Sequence, residues 1–169
     1  MKRLLCTIGF TGKTAEEFFA LLLDAGVQQV IDIRQNRIGQ LSGFSKHPDL
    51  SFFLKKIAGI EYLHEPLLAP PPELLKTYRR TKDWPNYETD FLAAMKDRRV
   101  PATLDTSLWS SKVSLLCSEP GPEKCHRRLV ADLLATHWRE QGDVVEIRHL
   151  ISTSQKLAKP RRKSAGLAS

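Results

Sequence analysis

Between positions 117 and 128 the chain reads CSEPGPEKCHRR, which sets Cys117, Glu119, Cys125, His126, Arg127 and Arg128 close together. A thiol near an imidazole suits nucleophilic attack, a nearby carboxylate suits proton transfer, and arginines suit a bound anion. The apolar VSLL before the cluster reads as a strand, and RLVADLL after it has helical spacing. The cluster therefore sits beyond the carboxyl end of a strand, where α/β proteins bind ligands. At about 100° per helical residue, His126 joins Leu129, Val130, Leu133, Leu134 and His137 on an inward stripe. Cys125 and Arg127 fall on its shoulders, and Arg128 points to solvent. Pro122 suits a first helical position, with free amides that favour a bound anion, a thiolate and a neutral His126. The plainer alternative is that Cys117 and Cys125 are buried small hydrophobes and His126 caps a core stripe.

Two further groups qualify. In VIDIR, Asp32 and Arg34 leave the same face of a strand, as ligands for one substrate or as an ion pair with each other. Tyr78, Arg79, Arg80, Lys82, Trp84 and Tyr87 interleave bases with aromatics, a pattern for stacking and phosphate contact, with core anchoring the simpler role for Trp84. The expected reacting residues are Cys117, His126, Glu119 and Asp32, with Arg34, Arg127 and Cys125 around a bound anion. No metal and no cofactor is expected. There is no C-x-x-C, and neighbours on a helix diverge by about 100°, which keeps Cys125 and His126 from sharing an ion. The GKT at Gly12-Lys13-Thr14 lacks the glycine of a P-loop, because that position is Thr7.

The elements that must hold these groups alternate. Strands are expected at 3–8, 27–33, 60–64, 113–117 and 143–149, with helices after Thr14 and near 48–58, 72–82, 86–98 and 122–139. Thr14-Ala15-Glu16-Glu17 matches a capping box. Strand–helix alternation predicts a Rossmann-like α/β fold: a three-layer open sheet of about five mainly parallel strands with helices on both faces.

The chain has 169 residues, enough for one domain with its own core, expected over 1–153. Five of its seven net positive charges lie at Lys156, Lys159, Arg161, Arg162 and Lys163, so 154–169 reads as a basic disordered tail. Such a tail can hold nucleic acid loosely or simply solubilise the terminus. No apolar run approaches a membrane span, and the opening MKRLLCTIGF reaches Gly9 too soon for a secretory leader. Three cysteines without paired spacing argue against a disulfide framework. A cytoplasmic location is expected.

Several segments, in order, resemble the domain-of-unknown-function 488 family: TIGFTGKTAEEF at 7–18, VIDIR at 30–34, IEYLHEPLLAP at 60–70, DWPNYETDF at 83–91 and LLCSEPGPEKCHRRLVADLL at 115–134. The resemblance spans about residues 3–150. It implies a Rossmann-like domain and carries over Asp32, Arg34, Cys117, Glu119, Cys125, His126 and Arg127 as shared positions, without supplying a reaction. Lys13 departs from the family pattern, where small polar residues are usual.

Together these features favour an enzyme acting on a nucleotide, a nucleic-acid end or another phosphorylated substrate. A non-catalytic nucleic-acid-binding module is the alternative. A rhodanese- or phosphatase-like thiol enzyme ranks third, because Cys117 and Arg127 are too far apart in sequence, with Pro120 and Pro122 between them, to form one short anion loop.

Overall fold

The structure is a computed structural model, and it describes residues 1–39 and 43–152. The basic tail lies outside the described residues. Five strands, β1 (Lys2–Gly9), β2 (Gln29–Asp32), β3 (Glu61–His64), β4 (Lys112–Cys117) and β5 (Val144–Leu150), form one sheet in the order β3-β2-β4-β1-β5. Every pairing is parallel. The helices are α1 (Ala15–Asp24), α2 (Asp49–Phe53, continued by a π-helical turn at Leu54–Ala58), α3 (Pro72–Thr81), α4 (Trp84–Asp97) and α5 (His126–Glu140).

Apolar strands buried on both faces need a cover on each side. Phe18, Phe19 and Leu22 of α1 and Leu50 of α2 pack with Cys6, Ile8, Val30 and Leu116 on one face. Tyr87, Phe91 and Met95 of α4, with Leu129, Val130 and Leu134 of α5, pack with Leu5, Ile31 and Leu115 on the other. The result is a three-layer α/β sandwich. Thr14 and Glu17 form the expected capping box, which fixes where α1 starts below the β1 turn.

The order has a functional consequence. The chain leaving β4 runs to α5 on one face, whereas those leaving its neighbours β1 and β2 run to α1 and α2 on the other. Loops therefore diverge on both sides of the β4 carboxyl end and open a crevice there.

Two helix starts differ from the sequence reading by two residues or more. Helix α5 begins at His126, not near 122, and Cys125 is its N-cap, with extended backbone at φ −138° and ψ 135°. Residues 118–125 instead form a loop tied down from within the helix by Arg127. Helix α4 begins at Trp84, because the Asp83 side chain accepts from the Asn86 amide (3.1 Å) and Pro85 fits the first turn.

Candidate functional site

A cleft of about 380 Å³ opens at the carboxyl end of β4. Cys117, Ser118, Glu119, Cys125 and His126 form its floor, and Tyr78, Trp84 and Tyr87 line it from α3 and α4. Arg79, Lys82 and Lys124 add positive charge, and Arg34, Gln35 and Asn36 border it from the end of β2. The volume lies within the range of small-molecule sites. The base-and-aromatic segment and the Cys–His cluster, separate in sequence, meet here.

Strand pleat decides what reaches the floor. Ile31 of β2 is in register with Leu115 of β4, and Asp32 with Leu116. Cys117 therefore shares the α4–α5 face with Leu115, whereas Asp32 and Arg34 point with Leu116 to the α1–α2 face. There Arg34 Nε and Nη2 donate to the two carboxylate oxygens of Asp32 (2.8 and 2.7 Å), and Nη1 donates to the Ser45 carbonyl (2.9 Å). Tyr62 donates its hydroxyl proton to Asp32 Oδ2 (2.7 Å), and the Arg34 guanidinium lies 5.4 Å from the Phe10 ring centroid. The pair is buried and saturated, an ion pair that anchors the end of β2.

Cys117 Sγ lies 3.6 Å from His126 Nδ1, and His126 Nε2 lies 3.2 Å from the Ile33 carbonyl oxygen. That carbonyl accepts only if Nε2 carries a proton, which turns Nδ1 toward the sulfur. The hydrogen bond from Cys125 holds the Cys117 thiol well below its ordinary range, against burial and with help from His126. Burial and the neighbouring Cys117 sulfur push Cys125 well above. Burial disfavours a charged His126, but the Cys117 thiolate outweighs it and raises the ring above its usual value. This runs opposite to the neutral His126 expected from a helix N-terminus. Burial, then the Cys117 charge, also raises the Glu119 carboxyl.

Arg127 is fully buried. Its guanidinium donates to the carbonyls of Glu119 and Pro120 and to Cys125 Sγ (3.6 Å), so it clamps the 118–125 loop. Its Nε has no partner among the described residues. Gly9 of β1 lies under the clamp, where a Cβ would overlap the Glu119 carbonyl. The Thr11 amide donates to the Ser118 carbonyl (3.1 Å), so the GFTG turn braces this loop. Lys13 is buried below it, and burial together with Arg127 lowers its amine to about 8. Arg128 pairs with Glu88 (3.3 Å) and Asp132 (3.6 Å).

Divergence of neighbours along a helix does not separate Cys125 from His126 here. Cys125 precedes the helix, and one ligand atom each from Cys117, Cys125 and His126 lies within 4.8 Å of the others. These three could hold a metal.

The family model described as Domain of unknown function DUF488 matches residues 14–134, well over half of the chain. The chain belongs to this family. No curated protein and no solved structure matches it. Membership extends over both halves of the cleft, including the aromatic segment. Gln35, Asn36 and Lys124 had not been singled out from the sequence; their only signal was position just after a strand or before a helix.

Proposed function

We propose that the protein is an enzyme acting on a phosphorylated substrate that carries an aromatic ring, such as a nucleotide or nucleic-acid end. The observation that carries this reading is one cleft with three kinds of lining: a Cys–His floor, an aromatic wall and cationic side chains at its rim. Trp84 and Tyr87 stack at 5.2 Å, and Tyr78 packs on Tyr87 at 4.8 Å; Tyr87 is buried, so the half-buried Trp84 and Tyr78 are the rings placed to receive a base. Arg79, Lys82 and Lys124 are the cations for the phosphate, because Arg34 is committed to Asp32 and Arg127 to the loop. Cys117 and His126 stand at the reacting end, with Glu119 beside them as the carboxylate for proton transfer. Asp32, saturated on the other face, supports the site from beneath.

The test is a turnover screen with the four ribonucleoside 5′-monophosphates and a 5′-phosphorylated oligonucleotide. At least one is expected to react. Cys117→Ser should lower the rate by about 100-fold or more, the scale of losing one positioned reacting group, without shifting the melting temperature. Absence of turnover and binding across the panel, or full activity in Cys117→Ser, would overturn the reading. Binding without turnover, weakening steeply with salt, would identify the non-catalytic alternative.

A further inference from the structure

We infer that Cys117, Cys125 and His126 form a binding centre for a thiolate-preferring divalent cation of the zinc class, with one coordination position facing the cleft. The inference deepens the reading of this cleft as an active site and rests on it for its chemical meaning. The coordination itself needs no substrate to be observed.

Geometry is the first support. A tetrahedral ion about 2.3 Å from sulfur and about 2.05 Å from nitrogen sets those two ligands about 3.6 Å apart. Cys117 Sγ and His126 Nδ1 are 3.6 Å apart, and the Cys125 sulfur lies within 4.8 Å of both. Closing the third ligand onto an ion requires a side-chain movement of about an ångström or less.

Orientation is the second and independent support. Metal-bound histidines almost always give their other ring N–H to a carbonyl or carboxylate, which fixes the tautomer. His126 already does this through Nε2 and the Ile33 carbonyl (3.2 Å), which leaves Nδ1 toward the Cys117 sulfur (3.6 Å). Arg127 Nη1 donates to Cys125 Sγ (3.6 Å), the outer-shell contact expected of a coordinating thiolate. The three ligands come from the last residue of β4, the N-cap and the first residue of α5, all buried, so the positions are rigid.

Ligand chemistry selects the ion. Two sulfurs and an imidazole favour zinc-class metals over magnesium or calcium, which need oxygen. Three protein ligands leave one position open, as in catalytic centres, and all three line the cleft, so the open side faces the substrate space. Two thiolates balance a dication, and Arg127 leaves the centre net positive toward a phosphorylated ligand. With an ion bound, Cys117 and His126 would serve as its ligands, and the ion would supply Lewis-acid polarisation of a substrate oxygen.

The full chain, stripped with a chelator and kept reduced, is titrated with Co2+. One equivalent should bind with a thiolate-to-cobalt charge-transfer band and intense tetrahedral d–d absorption, and one equivalent of Zn2+ should displace it. Cys125→Ser and His126→Gln should each weaken binding at least tenfold, and Cys6→Ser, remote and buried, should not change it. Weak octahedral bands alone, or an unchanged charge-transfer band in Cys125→Ser, overturn the inference. Should either variant fail to fold, the unaltered chain gives a second readout. Stoichiometric Zn2+ must block alkylation of Cys117, and unchanged labelling overturns the proposal. Neither readout contains a nucleotide, so failure of the metal centre and failure of the substrate reading are told apart.

Discussion

Asp32 and Arg34 show how one residue of pleat separates a buried ion pair from the Cys117–His126 pair that lines the cleft. Both are polar and both end a strand beside the cleft, yet their side chains leave the sheet on the face away from Cys117. Removing only the cation would strand a carboxylate that has no exposure to water. Arg34→Ala should therefore destabilise the protein by about 3–5 kcal/mol, the cost of an uncompensated buried charge. Arg34→Lys should not restore it, because a lysine cannot make the two parallel bonds to Asp32. Urea unfolding measures this, and a loss below about 1 kcal/mol would show that Tyr62 alone satisfies Asp32. The sequence placed these residues on one strand face but could not say which face, because that depends on the register with β4.

At the scale of elements, the loop between β4 and α5 carries the site, and the Arg127 clamp determines its shape. The clamp leaves no room beside Gly9. Gly9→Ala should displace the Glu119 carbonyl, cost about 1–3 kcal/mol as overpacking does, and slow alkylation of Cys117 by disturbing the floor. Native-like unfolding midpoints with unaltered Cys117 reactivity would contradict this. The same clamp explains what the sequence concealed. All five strands could be read from their apolar runs and α1 from its capping box, because these signals are local. The start of α5 could not. Pro122 has the local preference for a first helical turn, but Arg127 pulls on the Glu119 and Pro120 carbonyls and holds the preceding residues in a loop. That displacement of the helix start turns Cys125 from a helical shoulder into an N-cap facing Cys117, where the two sulfurs and His126 can share an ion. Likewise the interleaved bases and aromatics at 78–87 were visible, but not that α3 and α4 fold across the end of β4.

For the whole molecule, the parallel order β3-β2-β4-β1-β5 puts diverging loops on both sides of one strand end, and Cys117, the proposed reacting thiol, stands at that end. The other cysteine of the sheet lies elsewhere. Cys6 is enclosed by the α1–α2 core, and burial lifts its thiol to about 11. The proposed function requires the cleft to bring Cys117 against a bound phosphorylated ring. Iodoacetamide labelling of the chelator-treated chain at neutral pH, mapped by mass spectrometry with and without nucleoside monophosphates, tests it directly. A thiol held well below its ordinary range deprotonates more readily, whereas Cys6 becomes a thiolate only as pH approaches about 11. Cys117 is expected to be labelled first, at least one nucleotide to slow this labelling, and Trp84→Ala to remove the protection. Labelling of Cys6 ahead of Cys117, or Cys117 labelling that no saturating nucleotide slows, would contradict it.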